Sequence, residues 1–105
     1  MRSVFLEVPL EELRKKKTYF IFRRFNRSQG VTNINGNKRT KVFVKFFGTV
    51  KKDGEVYSVG NIPLKDILKN TQYATEEELI EDFKKRYRVS TISGAKVYSV
   101  ELISD

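Results

Sequence analysis

The chain has 105 residues, of which 32% are charged, and it contains neither cysteine nor histidine. These absences exclude disulfides, thiolate nucleophiles and the usual zinc ligands. We therefore predict one small domain with no metal and no cofactor. No apolar run approaches the ~20 residues of a membrane-spanning helix, and the first residues lack a signal-peptide pattern, so we expect a cytoplasmic protein.

Positive charge is concentrated in the first half of the chain. Residues 1–52 contain fourteen lysines and arginines against three acids, a net charge of +11, whereas residues 53–105 have a net charge of −3. Such an imbalance predicts a basic face, which attracts polyanions. Nucleic acid is the expected partner, because each neutralised phosphate releases counterions. An anionic membrane is the less favoured partner, and we predict that the protein does not bind membranes.

The first quarter of the chain predicts two strands separated by a helix. Residues 3–8 alternate as a strand does, and Pro9 opens a short amphipathic helix that ends near Lys16. Residues 18–25 are rich in β-forming residues and apolar on both faces, which predicts a strand inside a closed barrel.

The middle of the chain combines a long polar segment with a hairpin. Residues 26–40 hold four asparagines and two glycines, and this pattern predicts a loop or a loose hairpin. Segments of this length without regular structure are usually functional. Residues 41–52 are a predicted strand, which turns at Asp53-Gly54 into a second strand over residues 55–60.

The remaining segments predict two helices and a closing strand. Pro63 begins a short helix, and Thr75 with Glu78 forms a capping box for a longer one. The closing strand is predicted over residues 96–103. The order of elements predicts an α+β fold: a small, partly open, mostly antiparallel β-barrel with short helices at its ends.

The strand at residues 41–47 (KVFVKFF) carries the most specific functional pattern. Alternation places the three residues Val42, Val44 and Phe46 on one face, and on the other a mixed row of Lys41, Phe43, Lys45 and Phe47. Aromatic rings between cations are typical of surfaces that bind single-stranded nucleic acid. The alternative is that both rings of the mixed row are buried under a helix while the lysines reach the solvent.

Two further groups of basic residues accompany this strand. Lys16 and Lys17 belong to a run at a helix end, where the dipole alone favours cations. Three arginines follow within ten residues, so the two groups could instead track a phosphate backbone: Arg23, Arg24 and Arg27. The polar loop adds the amides of Asn26, Asn33, Asn35 and Asn37 with Lys38 and Arg39, which can contact base edges or simply serve a flexible turn.

The sequence resembles the ASCH domain family of the PUA-like superfamily. The family has a basic signature, Gly-x-Lys-x-x-Glu/Thr-x-Arg, entering its second strand, and residues 15–22 (KKKTYFIF) occupy that place. It also has a helix opened by Ser or Thr and ending at Tyr, followed by a closing strand of the form V-Y-x-I-x-F. Thr75 to Tyr87 and residues 97–102 (VYSVEL) are similar. The resemblance implies a PUA-like fold and an RNA-binding cleft.

The catalytic pattern of one branch of this family is only partly present. The resemblance implies that acetylcytidine amidohydrolases use a Lys, a Thr three residues on, and a Glu before the long helix. Lys17 matches the lysine, whereas Phe20 occupies the Thr position and Gln72 approximately the Glu position. Neither replacement can supply a hydroxyl or a carboxylate base. The same alignment puts Phe22 at the Arg position.

We therefore expect a small RNA-binding domain and do not favour an enzyme. Two alternatives remain open: an enzyme acting on RNA or on a modified nucleoside through Lys17, and an interaction module for an acidic protein. The predicted binding residues lie in a basic cleft, in the polar loop and on the strand at 41–47: Lys16, Lys17, Arg23, Arg24, Arg27, Lys38, Arg39, Lys41, Phe43, Lys45 and Phe47.

Overall fold

The computed structural model of the chain describes residues 9–34 and 38–105. The strand predicted over residues 3–8, and Asn35 and Asn37 of the polar loop, lie outside the described residues. The helices are α1 Leu10–Lys16, α2 Leu64–Ile67, which continues as a 3-10 turn Leu68–Asn70, and α3 Glu76–Tyr87. The strands are β1 Thr18–Arg23, β2 Gly30–Asn33, β3 Lys41–Asp53, β4 Val56–Val59, β5 Ile62–Pro63 and β6 Lys96–Ser104.

The described strands form one sheet in the order β1-β6-β3-β4-β5, with β2 paired to the first part of β3. Every strand pair in the described residues is antiparallel. The prediction of an α+β fold with a mostly antiparallel sheet is confirmed. The sheet formed by the described strands does not close on itself, so the predicted barrel is not confirmed. Strand β1, which we placed inside a closed barrel, pairs only with β6 within the described residues.

Core residues lie on both faces of the sheet. Ile21 is paired with Tyr98, and their neighbours Phe22 and Val97 are paired next to them. Because side chains alternate along a strand, these two pairs point to opposite faces. Phe22 and Val97 belong to a core with α2 and α3, whereas Ile21 and Tyr98 belong to a core with Leu13 of α1. Because each face of β1 contributes to a core, its residues are apolar on both faces.

At Gly48, strand β3 switches the core toward which its apolar side chains point. The register between β3 and β6 shifts between Phe46 and Gly48, which leaves Phe47 as the bulged residue. Val44 lies in the core with α1, yet Val50, six residues later, lies in the core with α2 and α3. Without the bulge both valines would face the same side. A Cβ atom at Gly48 would come within 2.8 Å of Cγ1 of Val59, so the close approach requires glycine.

The helix ends follow the predicted local signals. The hydroxyl of Thr75 accepts the backbone N–H of Glu78 at 3.2 Å, as the capping box requires, while the Glu78 carboxylate accepts the N–H of Ala74 at 3.1 Å. Helix α1 ends at Lys17, whose backbone is left-handed with φ of 69°. Its N–H donates to the carbonyl of Leu13 at 2.7 Å, closing the last turn.

The described residues of the polar segment over 26–40 include a strand. Gly30–Asn33 form β2, which pairs with β3 from Val44 back to Lys41. The segment thus supplies one arm of a hairpin whose other arm is β3, which agrees better with the predicted loose hairpin than with a loop. Ile34 extends the ladder, because its N–H donates to the carbonyl of Thr40 at 3.3 Å. The second predicted hairpin is also present, since Asp53 pairs with Val56 around Gly54.

Candidate nucleic-acid interface

One part of the sheet exposes aromatic rings to solvent, and no helix among the described residues buries them. Phe43 and Phe47 are 38% and 39% exposed, so neither is buried under a helix, which was the alternative interpretation of this strand. Phe43 is paired with Val31 of β2 on one side and with Glu101 of β6 on the other. By strand alternation Lys45 points the same way as Phe43. We call this surface, made of Val31, Phe43, Lys45, Phe47 and Glu101, the open face.

The aromatic surface extends across β6 to strand β1. The ring centroids of Phe20 and Phe47 are 4.9 Å apart, with 58° between the ring planes. Phe20 is paired with Ser99, which is paired in turn with Lys45. Ser99 lies on β6, between β1 and β3, and its small side chain leaves room for the two rings to meet above it. Phe20 is not among the residues predicted for this surface, although its place in the period-two pattern of β1 could have indicated it.

Lysines border the rings of the open face. Lys41 and Lys45 are both exposed, and neither forms an ion pair in the described part of the chain. Lys45 lies between Phe43 and Phe47 on one strand face, as the alternation predicts. Glu101, also exposed, places a negative charge next to Phe43. The open face therefore alternates charge with ring, and its local charge can be changed in either direction by single substitutions.

The predicted basic residues Lys16 and Lys17 lie at the opposite end of β1 from the predicted arginines. β1 spans Thr18–Arg23, and six residues of extended strand cover roughly 20 Å. Lys16 donates to the carbonyl of Lys69 and lies 3.8 Å from a carboxylate oxygen of Glu12. The structure therefore does not bring these lysines and Arg24 together into a single cleft.

The three arginines cluster where β1 ends, each with its own contact. Arg23 donates to the carbonyl of Phe22 at 3.0 Å, and Arg24 donates to the carbonyl of Tyr87 at 3.4 Å. The backbone N–H of Arg27 donates to the hydroxyl of Tyr98 at 3.0 Å. Partial burial lowers the pKa of the Arg27 guanidinium, and the positive charge of Arg23 lowers it further. These contacts hold the guanidinium groups of Arg23 and Arg24 and the backbone of Arg27 against the fold.

The polar hairpin uses some of its predicted base-reading groups for its own structure. The Asn33 side chain donates to the carbonyl of Lys38 at 2.9 Å and to that of Thr40 at 3.4 Å. Gln29, which we did not single out, accepts the N–H of Phe46 at 2.9 Å. Lys38 and Arg39 are exposed at the hairpin end. The amide of Asn33 thus serves the turn, whereas the two cations are placed at the surface.

Two positions implied by the amidohydrolase pattern, Lys17 and Gln72, do not together line the cavity that the described residues form around Gln72. Gln72 lines a cavity with Tyr73, Glu78, Asp82 and Arg86, and Lys17 is not among its lining residues. In that cavity the Tyr73 hydroxyl donates to the Asp82 carboxylate. Burial, together with this hydrogen bond, raises the pKa of Tyr73 to about 12. The phenol therefore stays protonated at neutral pH and is not poised as a base.

Two properties of the described residues concern metals and membranes. Residues 9–34 and 38–105 contain no group of three or more carboxylates arranged to hold a metal ion. None of the helices in this part of the chain has the length and apolar character needed to cross a bilayer.

Comparison of the chain with protein-family models, with characterised proteins and with solved structures gives no match. Function must therefore be argued from the surface itself.

Proposed function

We propose that this protein binds single-stranded nucleic acid, with RNA as the favoured form, through the open face of its sheet. The observation that carries the proposal is the exposure of Phe43 and Phe47, at 38% and 39%, on a strand face that also presents Lys45. A domain with a modest core gains stability by burying phenylalanine, so two partly exposed rings on one sheet face need an explanation. Stacking against bases supplies one.

Ring and cation have complementary tasks in such a site. Stacking of a base on an aromatic side chain contributes roughly 1–3 kcal/mol and tolerates any base. Lys41 and Lys45 attract the phosphates between stacked bases, without reading sequence. The bases of duplex DNA could not stack on these rings, because they are already stacked on one another inside the double helix. The open face therefore fits a flexible single strand better than a duplex.

The distribution of charge over the chain supports the same partner. The net charge of +11 over residues 1–52 includes all of β3 except its last residue. Lys51 and Lys52 follow on the same strand beyond the bulge, and as consecutive residues they point to opposite faces of the sheet. A strand of nucleic acid lying along β3 would therefore meet one of these two cations in addition to Lys41 and Lys45. Counterion release from each neutralised phosphate then contributes to affinity.

The proposal includes the relationship to ASCH domains and a cytoplasmic location. The basic run before β1, and α3 opening at Thr75 and ending at Tyr87, support a PUA-like relationship. The proposal does not extend to acetylcytidine hydrolysis. The Phe20 ring contacts the Phe47 ring, and Lys17 is not among the lining residues of the cavity that contains Gln72. We expect no turnover of acetylcytidine, and turnover abolished by Lys17→Ala would establish the enzyme alternative.

A titration over a range of salt concentrations tests the proposal. Fluorescence anisotropy of a labelled ten-nucleotide RNA should show binding that weakens steeply with salt. A site that neutralises about four to six phosphates gives a log–log slope near −3 to −4 on single strands. DNA of the same sequence and polyglutamate of equal charge are the comparison ligands. A flat salt response contradicts the proposal, and binding to polyglutamate as tight as to RNA favours the interaction module for an acidic protein.

A further inference from the structure

A second feature, away from the open face, is a cavity between the end of β1 and the segment that joins α3 to β6. Its volume is about 630 Å³. Its lining residues include two arginines and three residues with hydroxyl groups: Arg24, Arg88, Ser90, Thr91 and Ser93. None of the described residues that line the cavity is acidic. Two cations and three hydroxyls without a carboxylate are the donor set expected around an anion.

The segment that supplies the hydroxyls is held in place by the core. Ile92 is completely buried and Ala95 is 2% exposed. The N–H of Gly94 donates to the carbonyl of Val50, and the N–H of Val50 donates to the carbonyl of Ala95, both at 2.8 Å. Thr91 accepts the N–H of Ser93 at 3.0 Å and fixes the turn. Since the backbone is fixed on both sides, little conformational entropy is lost when a ligand binds these hydroxyls.

An exposed aromatic ring lies beside the cavity. Phe25 is 66% exposed, and the guanidinium carbon of Arg24 lies 5.3 Å from its ring centroid. The ring also makes an edge contact with Tyr87, with centroids 6.5 Å apart. Tyr87 is the last residue of α3, whose terminal carbonyls favour cations and explain part of the local basicity. Helix capping explains neither the three hydroxyls nor the exposed ring.

We propose that this cavity binds a phosphate monoester. A monoester carries up to two negative charges and three terminal oxygens, which two guanidiniums and several hydroxyls can satisfy together. A backbone phosphodiester has a single negative charge and only two terminal oxygens. The phosphate could belong to the end of an oligonucleotide or to a free nucleotide, and Phe25 would stack against the attached base in both cases. The oligonucleotide source rests on the proposed function, whereas the phosphate site itself does not.

Two measurements on the full chain test the inference. The first follows backbone amide NMR signals during addition of inorganic phosphate at constant ionic strength. We expect shifts at residues 88–94 and none at the open face. The second compares a 5′-phosphorylated RNA of ten nucleotides with the same RNA ending in a 5′-hydroxyl. We expect the 5′-phosphate to tighten binding at least fivefold.

Two matched variants distinguish binding in the cavity from a general effect of the protein's net charge. Arg88→Gln should abolish both the amide shifts and the preference for the 5′-phosphate. Lys85→Gln removes the same charge from an exposed position of α3 outside the cavity, and should preserve both. Equal binding of the two RNAs, together with unshifted signals at residues 88–94, overturns the inference and leaves the open face untouched. Phosphate-induced shifts without any RNA binding support the cavity with free phosphate esters as its ligands, and contradict the proposed function instead.

Discussion

The ring of Phe20 on β1 lies 4.9 Å from the ring of Phe47 on β3, although β6 runs between their strands. The contact crosses Ser99, which is paired with Phe20 and has a side chain too small to fill the gap. Phe47 thus has a partner within the fold, whereas none of the ring contacts in the described residues involves Phe43. The two phenylalanines of the open face should therefore respond differently to substitution.

Replacement of Phe43 by leucine should weaken single-strand binding several-fold at nearly unchanged stability. The ring is 38% exposed, so leucine retains most of its buried contacts while the stacking platform is lost. Thermal unfolding and RNA anisotropy measured on the same sample check this. A clear fall in melting temperature with unchanged affinity per folded molecule would move the binding surface away from the open face.

Replacement of Phe47 by leucine should weaken binding and also destabilise the fold. Loss of the contact with the Phe20 ring removes about 0.5–1.5 kcal/mol beyond the area that remains buried. The matched control is Phe20→Leu, which removes the same ring contact. A double-mutant cycle in urea should show that the effects of the two substitutions on unfolding free energy are not additive. Additive effects would mean that the ring contact contributes no stability.

Charge on the open face should control affinity in both directions. Lys45→Ala should weaken RNA binding and make the log–log salt slope less steep by about 0.7, since one fewer phosphate is neutralised on a single strand. Glu101→Gln should strengthen binding, because it removes a negative charge beside Phe43. The exposed Lys65 of α2 provides the control, and its replacement by alanine should leave affinity and slope almost unchanged. Equal weakening by Lys45→Ala and Lys65→Ala would show that only net charge matters.

Replacement of Gly48 by alanine should destabilise the protein by about 1–3 kcal/mol, the usual cost of forcing extra volume into a packed core. The new Cβ atom would lie 2.8 Å from Cγ1 of Val59, a side chain with no exposed surface and little freedom to move. Chemical denaturation measures the effect. Adding Val59→Ala to Gly48→Ala should cost less than Val59→Ala costs alone, because the methyl group then enters a vacated space. An alanine at position 48 without effect on stability would contradict the close packing at the bulge.

The Asp105 carboxylate should make stability depend on acidity. Arg14 donates two hydrogen bonds to it, and the buried Thr40 hydroxyl donates another at 2.8 Å. These bonds, that from Arg14 first, lower the pKa of Asp105 from 3.8 to about 2. A depressed pKa means that the stabilisation is complete above 3.8 and is lost as the pH falls toward 2. Asp105→Asn should lower the melting temperature at pH 7, and its difference from the parent protein should shrink below pH 4.

The control for this prediction is Glu55→Gln, which changes an exposed acid in the turn between β3 and β4. Its difference in melting temperature from the parent protein should stay small across the same pH range. If Asp105→Asn leaves the melting temperature at pH 7 unaltered, the contacts with Arg14 and Thr40 do not contribute to stability in solution.

The local sequence determined where most helices and strands lie. It also determined which residues share one face of β3. The capping residues of α3, the turn at Gly54 and the alternation in β3 depend on interactions between neighbouring residues, so the sequence predicted all three. The same alternation placed Phe43, Lys45 and Phe47 on one side of their strand. Their exposure could not be predicted, because it depends on where α1, α2 and α3 pack, and these helices cover other parts of the sheet.

Relations between distant residues were decided only by the tertiary structure. Apolar residues on both faces of β1 are equally compatible with a barrel interior and with an open sheet that has a core on each side. In the described residues the sheet is open and has a core on each side, because helices from separate parts of the chain supply the two covers. The bulge at Gly48 and the contact of Phe20 with Phe47 likewise require the pairing of β3 with β6. No local pattern contains that pairing, since strand neighbours are chosen by packing across the whole fold.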